Sequence, residues 1–162
     1  EYIEQLKQSL AFDDFIVYMM VGIPGSGKST WIKQNLSVDI PIVSRDVIRE
    51  ELGYCSNDEK IVGTKQQEKK VTEVENALIE KYCKAHQSFV IDDTNTGKYR
   101  AGLIQKLHDF GAVIVGVNMN TPLDICIKRR EGQISANVMR DIYKRSIPLL
   151  KNEVDKIINV NF

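Results

Sequence analysis

Gly22, Gly27, Lys28 and Ser29 stand at the spacing G-x-x-x-x-G-K-[ST], inside the stretch VYMMVGIPGSGKSTWIKQNL at residues 17–36. Each residue type in that pattern has a reason that concerns phosphate. Gly22, Gly25 and Gly27 permit backbone conformations and close approaches that a side chain would block. The amides of Gly25, Ser26 and Gly27 then point inward as a nest. The positive end of a helix opening at Lys28, and running through Ser29 and Thr30, reinforces it. Lys28 is placed to reach the β- and γ-phosphates of a nucleoside triphosphate, and the Ser29 hydroxyl to ligand Mg²⁺. A strand-like apolar run precedes the motif and a helix follows, which is the context the pattern requires.

Three further groups have the residue types that a phosphoryl transfer needs. In VSRDVIREEL (43–52), Asp46 and Arg49 are three residues apart and share one helical face. At the carboxyl end of a strand, such an aspartate is placed to accept a hydroxyl proton, and such an arginine to hold a phosphate. The alternative is that Asp46 caps its helix and Arg49 pairs with neighbours in water. In FVIDDTN (89–95), a carboxylate at a strand end supports the Mg²⁺ shell. Side chains of adjacent strand residues diverge, so Asp92 and Asp93 do not share one task. Asp93 ranks ahead of Asp92 here, with a plain turn as the alternative. In IKRREGQISANVMR, Lys128, Arg129 and Arg130 end a helix, where cations suit the dipole. The polar connection after them reads equally as a flap, a lid over about residues 128–137. Its arginines would neutralise charge on the transferred group.

These groups need a scaffold, and the chain supplies one. FIVYMMVG, IPIVS (40–44), SFVID (88–92), AVIVGVNM (112–119) and KIINVNF read as short apolar strands. Helical segments alternate with them. One starts near Lys28, DVIREEL stops at Gly53, and 65–85 carries Val71, Val74, Leu78 and Tyr82 at helical spacing. Others are Gly97–Phe110, a segment opened by a Thr121 cap and Pro122, and NVMRDIYKRSI before Pro148. Residues 53–64 read as irregular. Strand–helix alternation over the whole length predicts an α/β fold, a parallel P-loop-type sheet with helices on both faces, in one domain spanning 1–162.

Composition narrows the roles. The chain has 162 residues, 43% of them apolar and 27% charged, and lysine plus arginine balance aspartate plus glutamate at 22 each. A protein that coats long nucleic acid is normally strongly basic, so that role is disfavoured, while a local basic pocket for a nucleic-acid end is not. Lys98, Arg100, Arg140, Lys144 and Arg145 read mostly as solvated surface, with an acceptor groove as the alternative. Cys55, Cys83 and Cys126 lack metal-site spacing and read as thiols of a reducing, cytoplasmic compartment. His86 and His108 read as residues near helix ends. No apolar run reaches membrane-span length. A GTPase switch would carry D-x-x-G and N-K-x-D, which are missing, and the chain is short for a ring-forming ATPase with a helical lid domain. HDFG at 108–111 ends a helix and lacks the other protein-kinase motifs. Nothing in the sequence sets an oligomeric state.

The set GIPGSGKST, SRDVIR, DDTN and an arginine-bearing lid, in that order from about Ile16 to Leu150, resembles the kinase domain of phage-type polynucleotide 5′-hydroxyl kinases. The resemblance implies transfer of the ATP γ-phosphate, with Mg²⁺, to the 5′-OH of DNA or RNA. It implies that Lys28 and Ser29 hold ATP and Mg²⁺, that Asp46 is the general base and that Arg49 binds the acceptor-side phosphate. It further implies that Asp93 organises the acceptor site and that a lid arginine stabilises the transition state. Arg130 is chosen for that role, with Arg129 the rival. The segment between KRR and NVMRDIYKR is shorter than such a lid. No D-x-D-x-T motif is present, so a fused 3′-phosphatase is not expected. The wider family includes kinases of small hydroxyl compounds and of tRNA-linked acceptors, so a small-molecule or nucleoside hydroxyl and a tRNA-linked acceptor stand as the alternatives. An ATP-binding regulatory module is the non-enzymatic alternative.

Overall fold

The computed structural model describes residues 2–8, 10, 14–54 and 64–162. Five strands, β1 (Ile16–Val21), β2 (Ile42–Val43), β3 (Phe89–Ile91), β4 (Val113–Asn120) and β5 (Lys156–Asn161), form one sheet in the order β2-β3-β1-β4-β5. Every pairing is parallel. The helices are α1 (Tyr2–Gln8), α2 (Lys28–Asn35), α3 (Arg45–Glu51), α4 (Lys65–Lys84), α5 (Arg100–Asp109), α6 (Leu123–Arg129) and α7 (Ala136–Arg145). The sequence-based architecture is therefore the observed one, and most of the irregular stretch at 53–64 lies outside the described residues.

β1 shows why the sheet needs helices on both faces. All six of its residues are buried, and successive side chains alternate between faces. Val17, Met19 and Val21 enter one core with Ile48 of α3, Val71 and Ile79 of α4 and Leu107 of α5. Ile16, Tyr18 and Met20 enter the other with Ile3 and Leu6 of α1 and Trp31 and Ile32 of α2. Burying each such side chain is worth about 1.5–3 kcal/mol over leaving it in water, so an uncovered face would cost the strand half its support.

Local chemistry sets the helix starts. Ser44 accepts from the Val47 N–H and caps α3, which gives Asp46 no capping task. Thr64 and Gln67 form a capping box on α4. Ser135 caps α7. Thr121, expected to cap α6, does not; Pro122 occupies the cap position without a side-chain bond, and the Thr121 hydroxyl is used elsewhere. α6 and α7 pack on each other through Cys126, Met139 and Ile142, and Ile23 of the glycine loop joins that small core. The expected lid is thus a helical hairpin seated on the loop, its turn closed by Ile134 N–H donating to Arg130 O at 3.0 Å.

Arg100 departs from its surface reading. It is 2% exposed and donates to the carbonyls of Asn95, Ile147 and Pro148 and to the Glu153 carboxylate. These partners satisfy a buried guanidinium, so Arg100 pins the segment after α7 to the loop after β3. It lines no groove.

Candidate active site

The carboxyl ends of the parallel strands meet at one edge, where α/β sheets bind ligands. The glycine loop leaves β1 there, α3 starts just beyond β2, Asp92 and Asp93 follow β3, and Thr121 follows β4. Gly25 needs its glycine twice over. Its φ is +81°, and a Cβ would lie 2.9 Å from the Cys126 carbonyl oxygen. Three tethers fix the loop. Gly22 N–H donates to Thr94 O at 2.9 Å, the Thr121 hydroxyl to Ser26 O at 2.7 Å, and Arg129 Nη1 to Gly25 O at 3.0 Å. No side chain caps α2, so its first amides face the loop's concavity. A cleft of about 440 Å³ opens over this turn, lined by Gly25–Thr30, Arg129, Arg130 and Phe162 among others.

The Lys28 ammonium lies at the base of the loop, donating to Gly22 O at 2.8 Å and Ile23 O at 3.0 Å. Burial lowers its pKa, the Asp92 carboxylate opposes that, Arg130 adds to it, and Asp46 opposes it again. The fields of the glycine-loop lysine, the strand-end carboxylate, the lid arginine and the α3 aspartate therefore meet at one charge.

The two aspartates after β3 diverge, as adjacent strand residues should. The Ser29 hydroxyl donates to Asp92 Oδ2 at 3.5 Å. Asp93 turns the other way, and its Oδ1 accepts from Arg45 N–H at 2.9 Å. Of the two aspartates named as partners of Ser29, the one beside it at the head of α2 is Asp92, although Asp93 ranked ahead in sequence. Ser29 and Asp92 are both hard oxygen donors of the kind Mg²⁺ takes, one or two carboxylates besides substrate phosphates and water. The group fits there and not at Asp93. Among the described residues no cluster of three or more His, Cys, Asp or Glu could hold a metal by itself.

Asp93 faces Glu75 in a half-buried carboxyl pair. Burial, and then a hydrogen bond shared with Glu75, push its carboxyl up from 3.8 to about 8. The folded chain thus keeps a proton that the unfolded chain releases, so this group's contribution is fully present below pH 3.8. It declines as pH rises toward 8 and changes little above. Asp93→Asn copies the protonated acid. Thermal denaturation across about pH 6–8 is expected to show a shallower loss of Tm in this variant than in the parent.

Asp46 and Arg49 are in contact. Arg49 Nη1 donates to Asp46 Oδ1 at 2.7 Å, and the Asp46 side chain is 77% exposed against 13% for Arg49. Arg49 does not pair in water, however. Its Nε and Nη2 clasp Glu68 of α4 at 2.9 and 2.6 Å. This bond holds the Glu68 carboxyl below its usual range and raises the Arg49 pKa. Arg45 extends the network, lying 3.5 Å from Glu68 and 3.6 Å from Glu75. Sequence reasoning missed Arg45, Glu68 and Glu75. The signal was the spacing of Glu68, Thr72 and Glu75 on one face of α4; the missing fact was that this face meets α3.

The lid arginines differ in their engagements. Arg129 is tied to the Gly25 carbonyl and lies 5.4 Å over the Phe162 ring. Arg130 donates to Gln133 Oε1 at 3.1 Å, and its Cγ would press on a Cβ at Gly25. Of the remaining candidates, Cys83 and Cys126 are buried free thiols, and Cys55 lies outside the described residues. His86 stacks on Phe15, and His108 meets Asp155 at 2.9 Å. No helix among the described residues is long and apolar enough to cross a membrane.

Sheet order, glycine loop and the residues around Lys28 define a P-loop nucleotide-binding domain of the kinase-like fold. More narrowly, the model of the AAA domain family matches residues 17–142, and the chain belongs to that family. Among solved structures it is similar to a Chloroflexus aurantiacus j-10-fl protein, with 15% identity, 91% of this chain and 88% of that one covered, and a TM-score of 0.69. It is also similar to a chain of the Pnkp1/Rnl/Hen1 complex, at 21% identity and TM-score 0.63, over 75% of this chain but only 40% of that one. A third is the Mycobacterium tuberculosis APS kinase CysC in complex with AMPPNP and APS, at 16% identity, 90% and 88% coverage and TM-score 0.54. No curated protein sequence matches the chain.

Proposed function

We propose that this domain is an ATP-dependent phosphotransferase acting on the 5′-hydroxyl end of a polynucleotide, DNA or RNA. The observation that carries the transferase reading is the contact of Asp46 with Arg49 at the strand-end edge that also holds the glycine loop. In the proposed step the acceptor oxygen bonds to the γ-phosphorus as the bond to the β–γ bridging oxygen breaks. The acceptor proton passes to Asp46, and the electron pair leaves with ADP. Lys28 neutralises charge on the β- and γ-phosphates, and Arg130 covers the transferred group. Arg129 borders the nucleotide from the Gly25 side, and Arg49 takes the acceptor's phosphate. Ser29 and Asp92 would hold Mg²⁺, which when bound supplies charge neutralisation across the same phosphates.

The nucleotide complex of the APS kinase supports ATP as donor, and the likeness to a chain of the Pnkp1/Rnl/Hen1 RNA repair complex supports a nucleic-acid acceptor. One observation favours a small hydroxyl compound instead: the guanidinium proposed to hold acceptor phosphate already carries a carboxylate. Labelled ATP offered with 5′-OH oligonucleotides, nucleosides, tRNA and small alcohols decides between them. Label on the oligonucleotides is expected. Label only on a metabolite overturns the polynucleotide reading, and ATP binding without any labelling returns the domain to a regulatory module.

A further inference from the structure

The loop that follows β3 borders the acceptor side, and its tethers fix where it lies. Gly22 N–H of the glycine loop donates to Thr94 O at 2.9 Å. Asp93 Oδ1 accepts from the N–H of Arg45, the residue before Asp46. Asn95 is fully buried, and its Nδ2 donates to Met20 O of β1 at 2.6 Å. From this anchored loop an aromatic ring stands out into water. Tyr99 is 51% exposed, yet its hydroxyl donates to Asn95 Oδ1 at 3.2 Å. The ring edge lies against Gly97, where a Cβ would come within 2.9 Å of Tyr99 Cε1. We propose that this ring is the platform on which the base of the acceptor's 5′-terminal nucleoside stacks, and that Tyr99 thereby selects base-bearing hydroxyl compounds. The inference rests on the acceptor reading proposed above.

A tyrosine held at its polar end offers a large rigid face and loses little freedom when a base settles on it. Burial, and then the carboxylates of Asp93 and Glu75, push the Tyr99 hydroxyl up to about 12, so it still donates to Asn95 at neutral pH. Ile147, also exposed, donates its N–H to Thr96 O of the same loop at 2.9 Å, so apolar surface continues beside it. Stacking tolerates any base, because every base has a π-face. It also suits the charge of this chain. Lysine plus arginine balance aspartate plus glutamate at 22 each, so counterion release supplies little affinity and contact with the base must supply more. A sugar or an alcohol has no π-face to bring.

The test compares two 5′-OH oligonucleotides of one sequence as acceptors, one complete and one abasic at its 5′-terminal sugar. Both are offered to the parent, to Tyr99→Leu and to Tyr99→Phe, with thermal melts confirming that each variant is folded. In the parent the abasic acceptor is expected to show a KM about 5–100-fold higher, the scale of one base stacked on one ring. Tyr99→Leu is expected to bring the two KM values together by raising that of the complete acceptor. Tyr99→Phe keeps the ring and is expected to preserve most of the ratio. A ratio that survives in Tyr99→Leu overturns the inference while leaving the acceptor class intact. Equal KM values in the parent overturn it in the same way, even should the leucine variant not fold. Failure of the parent to label either oligonucleotide overturns the acceptor reading itself.

Discussion

Asp46→Asn is expected to keep ATP binding and to lose phosphoryl transfer by about 10²–10⁴-fold, the range for removing a positioned general base. The substitution is close to silent for the fold. The side chain is 77% exposed, Ser44 and not Asp46 caps α3, and an asparagine oxygen still accepts from Arg49 Nη1. What the variant lacks is a basic oxygen for the acceptor proton. Equilibrium binding of ATP and single-turnover transfer, measured on the same preparation, separate the two properties. Near-normal transfer would make Asp46 a surface residue whose contact with Arg49 is an ordinary i, i+3 pair worth a few tenths of a kcal/mol. A parallel loss of ATP binding would instead show that its field at Lys28 serves the donor side.

Lys28→Met is expected to cut turnover by about 10²–10³-fold or more, the scale on which a single charge-stabilising donor acts in a desolvated site. Methionine keeps most of the apolar stem that packs under the loop, so the loss reads the ammonium and not a cavity. The lysine is held by Gly22 O at 2.8 Å and Ile23 O at 3.0 Å. Removing it frees two carbonyls at the base of the loop and takes away the charge that Asp92 and Asp46 balance. Binding of ATP is expected to weaken alongside turnover, which distinguishes this variant from Asp46→Asn. Unchanged turnover would overturn the phosphate-loop assignment and with it every role placed around it.

The largest functional features were legible because they are local. A phosphate nest is made by consecutive backbone amides, and the glycines that permit it, Gly22, Gly25 and Gly27, fall within six residues of one another. Fully buried parallel strands betray themselves as unbroken apolar runs such as IVYMMV, and the order of such runs between helical segments fixes the class of sheet. The pairing of Asp46 with Arg49 is likewise written in a three-residue spacing on one helix.

What the sequence could not contain are choices made between distant segments. That Asp92, and not Asp93, faces Ser29 follows from how β3 lies beside β1, Met19 opposite Ile91; a shift of one residue would exchange the two carboxylates. That Arg49 clasps Glu68, 19 residues away, depends on α4 crossing α3. Thr121 could be a helix cap by its position, yet the glycine loop lies within 2.7 Å of its hydroxyl and takes it. Arg100 is a surface residue by type, but the carbonyls of Asn95, Ile147 and Pro148 close around it. Residue type and spacing determined the chemistry on offer, since conformational preference and periodicity act over a few residues. The partners of each charge were decided by tertiary packing, because burial forces a polar group to satisfy itself with whatever the fold brings near.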